Sequence, residues 1–184
     1  MLVWDPMREQ YDSELERLLD QVRELLGAGD DALLAEANAC VNAALQLHPQ
    51  SIEAWLLKCQ VASATGDDLA ALASVEMALR RAPHRPESLY WRGAVLGDLG
   101  RHREALRSVE AALRVLGDDE HWLLEDLYYE KVTILDAIGL HDAAVAACSA
   151  GLERCPGSAL LRAAMAPAER ARVRSSLKVL RGGA

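Results

Sequence analysis

Phenylalanine is absent from the 184 residues, and aromatic side chains of any kind make up only 4% of them. A core this poor in aromatics has to be assembled mainly from small and aliphatic side chains, and the abundance of Ala and Leu favours close helix-on-helix packing. No CxxC spacing occurs: Cys40, Cys59, Cys148 and Cys155 each sit inside an apolar helical pattern, so buried, reduced thiols are expected rather than a disulfide or metal role. No stretch approaches the ~18 uncharged apolar residues that a membrane span requires. The start, Met1-Leu2-Val3-Trp4-Asp5-Pro6, reaches an acid and a proline before any apolar run forms, which argues against a secretory signal and for a cytoplasmic protein. A basic excess is missing too. The net charge of -8 speaks against nucleic acid as a partner, because phosphate binding needs clustered cations. That sum hides an asymmetry: residues 1–157 carry 14 Lys/Arg against 27 Asp/Glu, whereas residues 158–184 carry 6 against 1. With 51% hydrophobic residues, a chain of this length can bury the core of one domain.

The constellations of catalysis are equally missing. There is no nucleophile beside a base, no metal-ligand spacing and no phosphate loop, so neither an enzyme nor a cofactor site is expected. His102 and His141 each follow a glycine by two residues and read as helix-start residues. His48 and His84 flank Pro49 and Pro83 at helix ends, where a cation suits the helix dipole, and His121 lies in an acidic insertion. Asp30-Asp31 and Asp67-Asp68 follow glycines as helix-capping carboxylates.

What the chain does have is a period. Residues 52–83 and 86–117 align without gaps at an offset of 34, superposing Gly66 on Gly100, Ala71 on Ala105, Val75 on Val109 and Ala78 on Ala112. A third copy fits at an offset of 39, with Tyr128, Gly139, Ala144, Cys148, Gly151 and Pro156 in matching places and five extra residues around Asp118–Trp122. A weaker copy precedes these, through Leu18, Val22, Leu25 and Gly29 and, after three inserted residues, Ala37, Val41, Ala44 and Pro49. Before each loop glycine runs an i, i+4, i+7 stripe: Trp55, Cys59, Ala62; Leu89, Gly93, Leu96; Tyr128, Val132, Leu135. That is the seam of a helix packed on a neighbour, ended by a glycine free to take a left-handed conformation. Ala71, Val75 and Ala78 give the second helix the same spacing, and Pro83 and Pro156 stop it. Nine helical segments follow, near 6–27, 30–47, 51–65, 68–82, 86–99, 102–116, 119–138, 141–155 and 158–181, the last broken at Pro167, with no sheet.

The Trp-x3-small, loop Gly, Ala, Ala and closing Pro of residues 55–83 resemble the signature of the tetratricopeptide repeat (TPR). The resemblance spans residues 15–156. It implies an all-α, right-handed helical-repeat solenoid of about four helix-turn-helix units within 1–157, near 15–50, 52–85, 86–118 and 125–157. Residues 158–184 then form a basic C-terminal capping helix. One departure recurs: where the family usually has Leu, this chain has Gln21, Lys58, Arg92 and Lys131, whose stems can lie along the seam. In the capping segment, Val173, Leu177 and Leu180 form an apolar face and Arg170, Arg174, Lys178 and Arg181 a cationic one, open to an acidic partner or a membrane surface if it does more than cap.

The resemblance also implies that residues 13, 10 and 6 before each loop glycine face a concave groove. These are Glu16, Leu19 and Arg23; Glu53, Leu56 and Gln60; Glu87, Tyr90 and Ala94; and Asp126, Tyr129 and Thr133. The middle row is apolar and the first row acidic in all four copies, which suits an apolar peptide bearing Lys or Arg. The competing explanation is that each acid lies in a helix's first turn, where a carboxylate gains roughly 0.3–1 kcal/mol from the dipole. Family members that hold a peptide's C-terminal carboxylate use Lys, Arg and Asn in this groove. The acids and neutral residues here argue against recognition of an EEVD-type chaperone tail. Three function classes remain: an adaptor for a partner protein or peptide, a small acidic chaperone like the helical-repeat secretion chaperones, and self-assembly as a homodimer. The last would use Tyr11, Leu15, Leu18, Val22 and Leu25, spaced like a coiled-coil seam.

Overall fold

A computed structural model describes the backbone of residues 6–116 and 121–182, and the side chains of 12–116 and 122–174. Among the described residues there are nine α-helices and no strand: α1 (Pro6–Gly27), α2 (Leu34–Leu47), α3 (Ile52–Ala64), α4 (Asp68–Arg81), α5 (Pro86–Asp98), α6 (His102–Val115), α7 (His121–Ala137), α8 (His141–Arg154) and α9 (Ala159–Gly182). They form two compact units, Met1–Pro83 and His84–Ala184.

The punctuation read from the sequence does what its chemistry requires. Gly29, Gly66, Gly100 and Gly139 all take φ between 64° and 77°, a region that L side chains rarely enter. After Gly66 the Asp67 N–H donates back to the Ala62 carbonyl at 2.9 Å, and the Arg101 and Leu140 N–H groups repeat the bond to Leu96 and Leu135 after Gly100 and Gly139. These are Schellman closures that satisfy carbonyls a helix end would strand. At the starts, the Ser51 hydroxyl accepts from the Ala54 N–H and the Asp67 carboxylate from the Ala70 N–H, at 3.1 and 3.0 Å. The three inserted residues of the first copy form a 3-10 turn, Asp31–Leu33, with the Asp30 carboxylate accepting from the Ala32 N–H. The second helix of that copy accordingly begins at residue 34 rather than 30.

In the first unit α1 packs on α2, α2 on α3 and α3 on α4, and α1 also touches α3. In the second, α5–α6–α7–α8–α9 pack in sequence, and α7 additionally touches both α5 and α9. Every second helix buries its seam completely: Ala37, Val41 and Ala44; Ala71, Val75 and Ala78; Ala105, Val109 and Ala112; Ala144 and Cys148. Gly93 shows how tight the contact is, because a Cβ there would lie 2.6 Å from Val109 Cγ2. Gly151 is as constrained, with Tyr128 Cβ and Cγ at 2.9 Å and Leu161 Cδ1 at 2.8 Å from such an atom.

The four polar residues at the family's Leu position each bond to a neighbouring helix. Gln21 donates to the Glu36 carboxylate at 3.0 Å and Arg92 to the Ser108 hydroxyl at 2.8 Å, tying first helix to second within a repeat. Lys58 donates to the Asn42 side chain and Lys131 pairs with Glu110 at 3.0 Å, tying a first helix to the preceding repeat. The N-terminal seam is occupied: Leu18 and Val22 are core residues of the first unit, with Leu15 and Leu25 packed against them, while the Tyr11 side chain lies outside the described residues.

The expected break at Pro167 is a correction. Proline stands inside a continuous α9. Its ring removes the N–H that would serve the Ala163 carbonyl. Ala163 and Pro167 are exposed, so that carbonyl is not stranded in the core, while Ala164, Met165 and Ala168 pack on the α7–α8 core and hold the helix on both sides of the ring. Ser158 opens the segment, its hydroxyl accepting from the Leu161 N–H at 2.9 Å and donating to the Glu125 carboxylate at 2.5 Å. No described helix is long and apolar enough to cross a membrane.

Candidate functional site

The twelve residues expected in the groove divide between the units, and the two sets differ. In the first unit, Leu19 and Leu56 are only 4% and 5% exposed, which corrects their place as an open apolar floor. Glu16, Arg23 and Glu53 are exposed and Gln60 half-buried. Arg23 reaches both the Asp20 and Glu53 carboxylates, so the acid of the α3 row is neutralised from α1.

In the second unit the row stays open. Tyr129 is 38% exposed, and Thr133 is exposed with its hydroxyl donating to the Tyr129 carbonyl at 3.1 Å. Tyr90 is half-buried rather than exposed, its ring edge-on to Trp91 at 5.5 Å, and Ala94 is half-buried beside it on α5. Burial, followed by the negative charge of Asp126 and Glu130 on α7, pushes the Tyr90 hydroxyl up to about 12. Glu87 pairs with Arg85 at 3.0 Å. By contrast, no described Lys or Arg forms an ion pair with Asp126 or Glu130. Burial first and Glu125 second hold Asp126 above its ordinary value, and burial first and Asp98 second do the same to Glu130. Glu130 lies close over α5, its Oε1 only 3.2 Å from where a Gly97 Cβ would be.

The dipole explanation for the acids holds for Glu53 and Glu87, which stand in first turns. It fails for the other two: α1 begins at Pro6, ten residues before Glu16, and α7 begins at His121, five residues before Asp126. A dipole contribution fades within the first turn.

Below Tyr129 the α7 stripe continues into a cavity of about 300 Å³ against α9. Tyr129, Val132, Thr133 and Asp136 line it from α7, and Leu160, Ala163, Ala164, Pro167 and Ala168 from α9. Asp136 was missed in the sequence although a signal existed, since it continues the 126, 129, 133 stripe by three residues. Its Oδ1 lies 2.6 Å from Nδ1 of His141, the first residue of α8. Of the basic stripe, Arg170 and Arg174 are exposed, and the Lys178 and Arg181 side chains lie outside the described residues.

No group of three or more His, Cys, Asp or Glu could hold a metal among the described residues. All four cysteines are free thiols, two buried and two half-buried. Burial pushes Cys59 up to about 12 and also raises Cys148 and Cys155, the reverse of what a thiolate nucleophile needs.

No family model and no curated protein matches the chain. Solved structures do. A thermophilic TPR protein of Thermus thermophilus is 22% identical, with 84% of this chain and 80% of that one covered at a TM-score of 0.72. YrrB, described as a TPR protein with an unusual peptide-binding site, is 21% identical over 84% and 76% at 0.62. A tetratricopeptide repeat protein of Parabacteroides merdae is 16% identical over 94% and 77% at 0.67. With the helix pairs, closing glycines and alanine seams described above, these likenesses show that the chain has the tetratricopeptide-repeat fold.

Proposed function

We propose that the chain is a non-catalytic adaptor whose second unit binds an apolar, basic segment of a partner protein along the α5–α7 face. One observation carries the reading: Asp126 and Glu130 are partly desolvated, with no ion pair to a described Lys or Arg, beside the half-exposed Tyr129. Carboxylates in that state are costly to the free protein, and a partner's Lys or Arg relieves the cost. Aromatic side chains at the centre of an interface commonly carry more than about 1 kcal/mol of binding. The first unit offers less, because its apolar row is buried and Glu53 already has Arg23. YrrB supports peptide binding by such a fold but says nothing of this ligand.

The test is titration of a captured partner against Tyr129→Ala, Asp126→Asn and Glu53→Gln, each first shown to be folded. The first two should weaken binding by about tenfold, the third by much less. Unchanged affinity in the first two moves the site off this face, and the exposed Arg170 and Arg174 on α9 become the next surface to examine.

A further inference from the structure

Resting on that reading, we propose that the α7–α9 cavity is the anchor subsite of the groove and takes the side chain of a partner arginine or lysine. In this role α9 is a wall of the site as well as a cap on the repeats.

Size and chemistry both point to a single long cationic side chain. At about 300 Å³ the cavity sits at the lower end of the range for small ligands, enough for one side chain and not for a folded element. Its walls are mostly apolar, with Leu160 and Pro167 on the α9 side, which suits an aliphatic stem. Its polar groups are acceptors or neutral hydroxyls, and none of its lining residues is Lys, Arg or His. Asp136 gives one carboxylate oxygen to His141, which leaves the other for a ligand. Pro167 has no N–H to give the Ala163 carbonyl, and both residues line the cavity. A carboxylate and two hydroxyls, those of Tyr129 and Thr133, on apolar walls match a head with several N–H donors and a positive charge.

Arg162, which precedes the lining residue Ala163 on α9, is engaged elsewhere. Arg162 donates to the Pro156 and Gly157 carbonyls at 2.7 and 2.9 Å. The position also fits the stripe above it. Asp126 lies ten residues and Tyr129 seven residues before Asp136 on α7, so a segment along α7 would meet an acid, an aromatic and then the cavity.

Amide chemical-shift titration of the full chain tests this with N-acetyl-arginine methylamide and its neutral isostere N-acetyl-citrulline methylamide as probes. The arginine probe should give saturable shifts at Thr133, Ala163, Ala164 and Ala168, with the citrulline probe about tenfold weaker. Asp136→Asn keeps an acceptor for His141 and removes the charge, so it should abolish the preference. Ala163→Leu, at an exposed helix position, should block the cavity and abolish the shifts. Pro167→Ala returns an N–H to the Ala163 carbonyl and should raise Tm while weakening the probe, a pairing that a purely structural proline would not produce. Equal shifts from both probes, or shifts indifferent to Asp136→Asn and Ala163→Leu, overturn the subsite. The adaptor reading fails separately: arginine binding here, together with a partner indifferent to Tyr129→Ala and Asp126→Asn, keeps the subsite and discards the groove.

Discussion

In the first unit Arg23 stands at the third groove position and closes on Asp20 and Glu53, whereas in the second unit the same position holds Ala94 and Thr133. The middle row diverges with it: Leu19 and Leu56 are core, while Tyr90 and Tyr129 keep part of their rings in solvent. One repeat template has thus produced a buried apolar row in one unit and a partly open one in the other, with one acid of each row paired to an arginine. A row of acids in a repeat sequence therefore does not identify a groove. The cation that happens to lie across from it decides whether the charge is available.

The largest effects should come from treating the two rows alike. Leu19→Ala and Leu56→Ala should each lose about 2–5 kcal/mol of stability, as truncated core leucines do, while Tyr129→Ala should stay within about 0.5 kcal/mol. Denaturant unfolding reads both, and a stable Leu19→Ala would return that residue to the surface. Next come changes that both units should feel equally. Ala78→Leu and Ala112→Leu put extra methylenes into fully buried seams and should each cost about 1–3 kcal/mol. An unchanged midpoint for either would show that the second-helix packing is not shared.

Smaller effects separate the charges. Glu53→Gln and Glu87→Gln remove acids that already have an arginine, so partner affinity should change by less than about 1 kcal/mol, chiefly in association rate, and the loss should shrink in high salt. The smallest effect is a pH slope. Glu130 has a folded pKa above its unfolded value, so the folded state holds the proton more tightly, and stability should rise as pH falls through the window that opens at its raised pKa and closes near the unfolded value of about 4.3. Glu130→Gln should flatten that part of the profile and stabilise the protein slightly at pH 7. A profile identical to wild type would show that Glu130 is as well solvated in the folded state as in the unfolded one.

The sequence by itself determined the helix pairs, their turns and their seams, because these depend on interactions within a few residues. Glycine alone takes φ near +70° without strain, a serine or aspartate caps the next helix, and small residues at i, i+4, i+7 leave room for a neighbour. The 3.6-residue period that marks a helix face cannot say what that face meets. Leu19 and Tyr129 occupy the same register, and only packing made one core and left the other exposed. Pro167 reads as a break because its lost hydrogen bond is local. The contacts of Ala164, Met165 and Ala168 with the α7–α8 core that hold the helix through it are not. The cavity was invisible for the same reason: Asp136 and Ala163 lie 27 residues apart in the chain, and they line one space only because α9 packs against both α8 and α7.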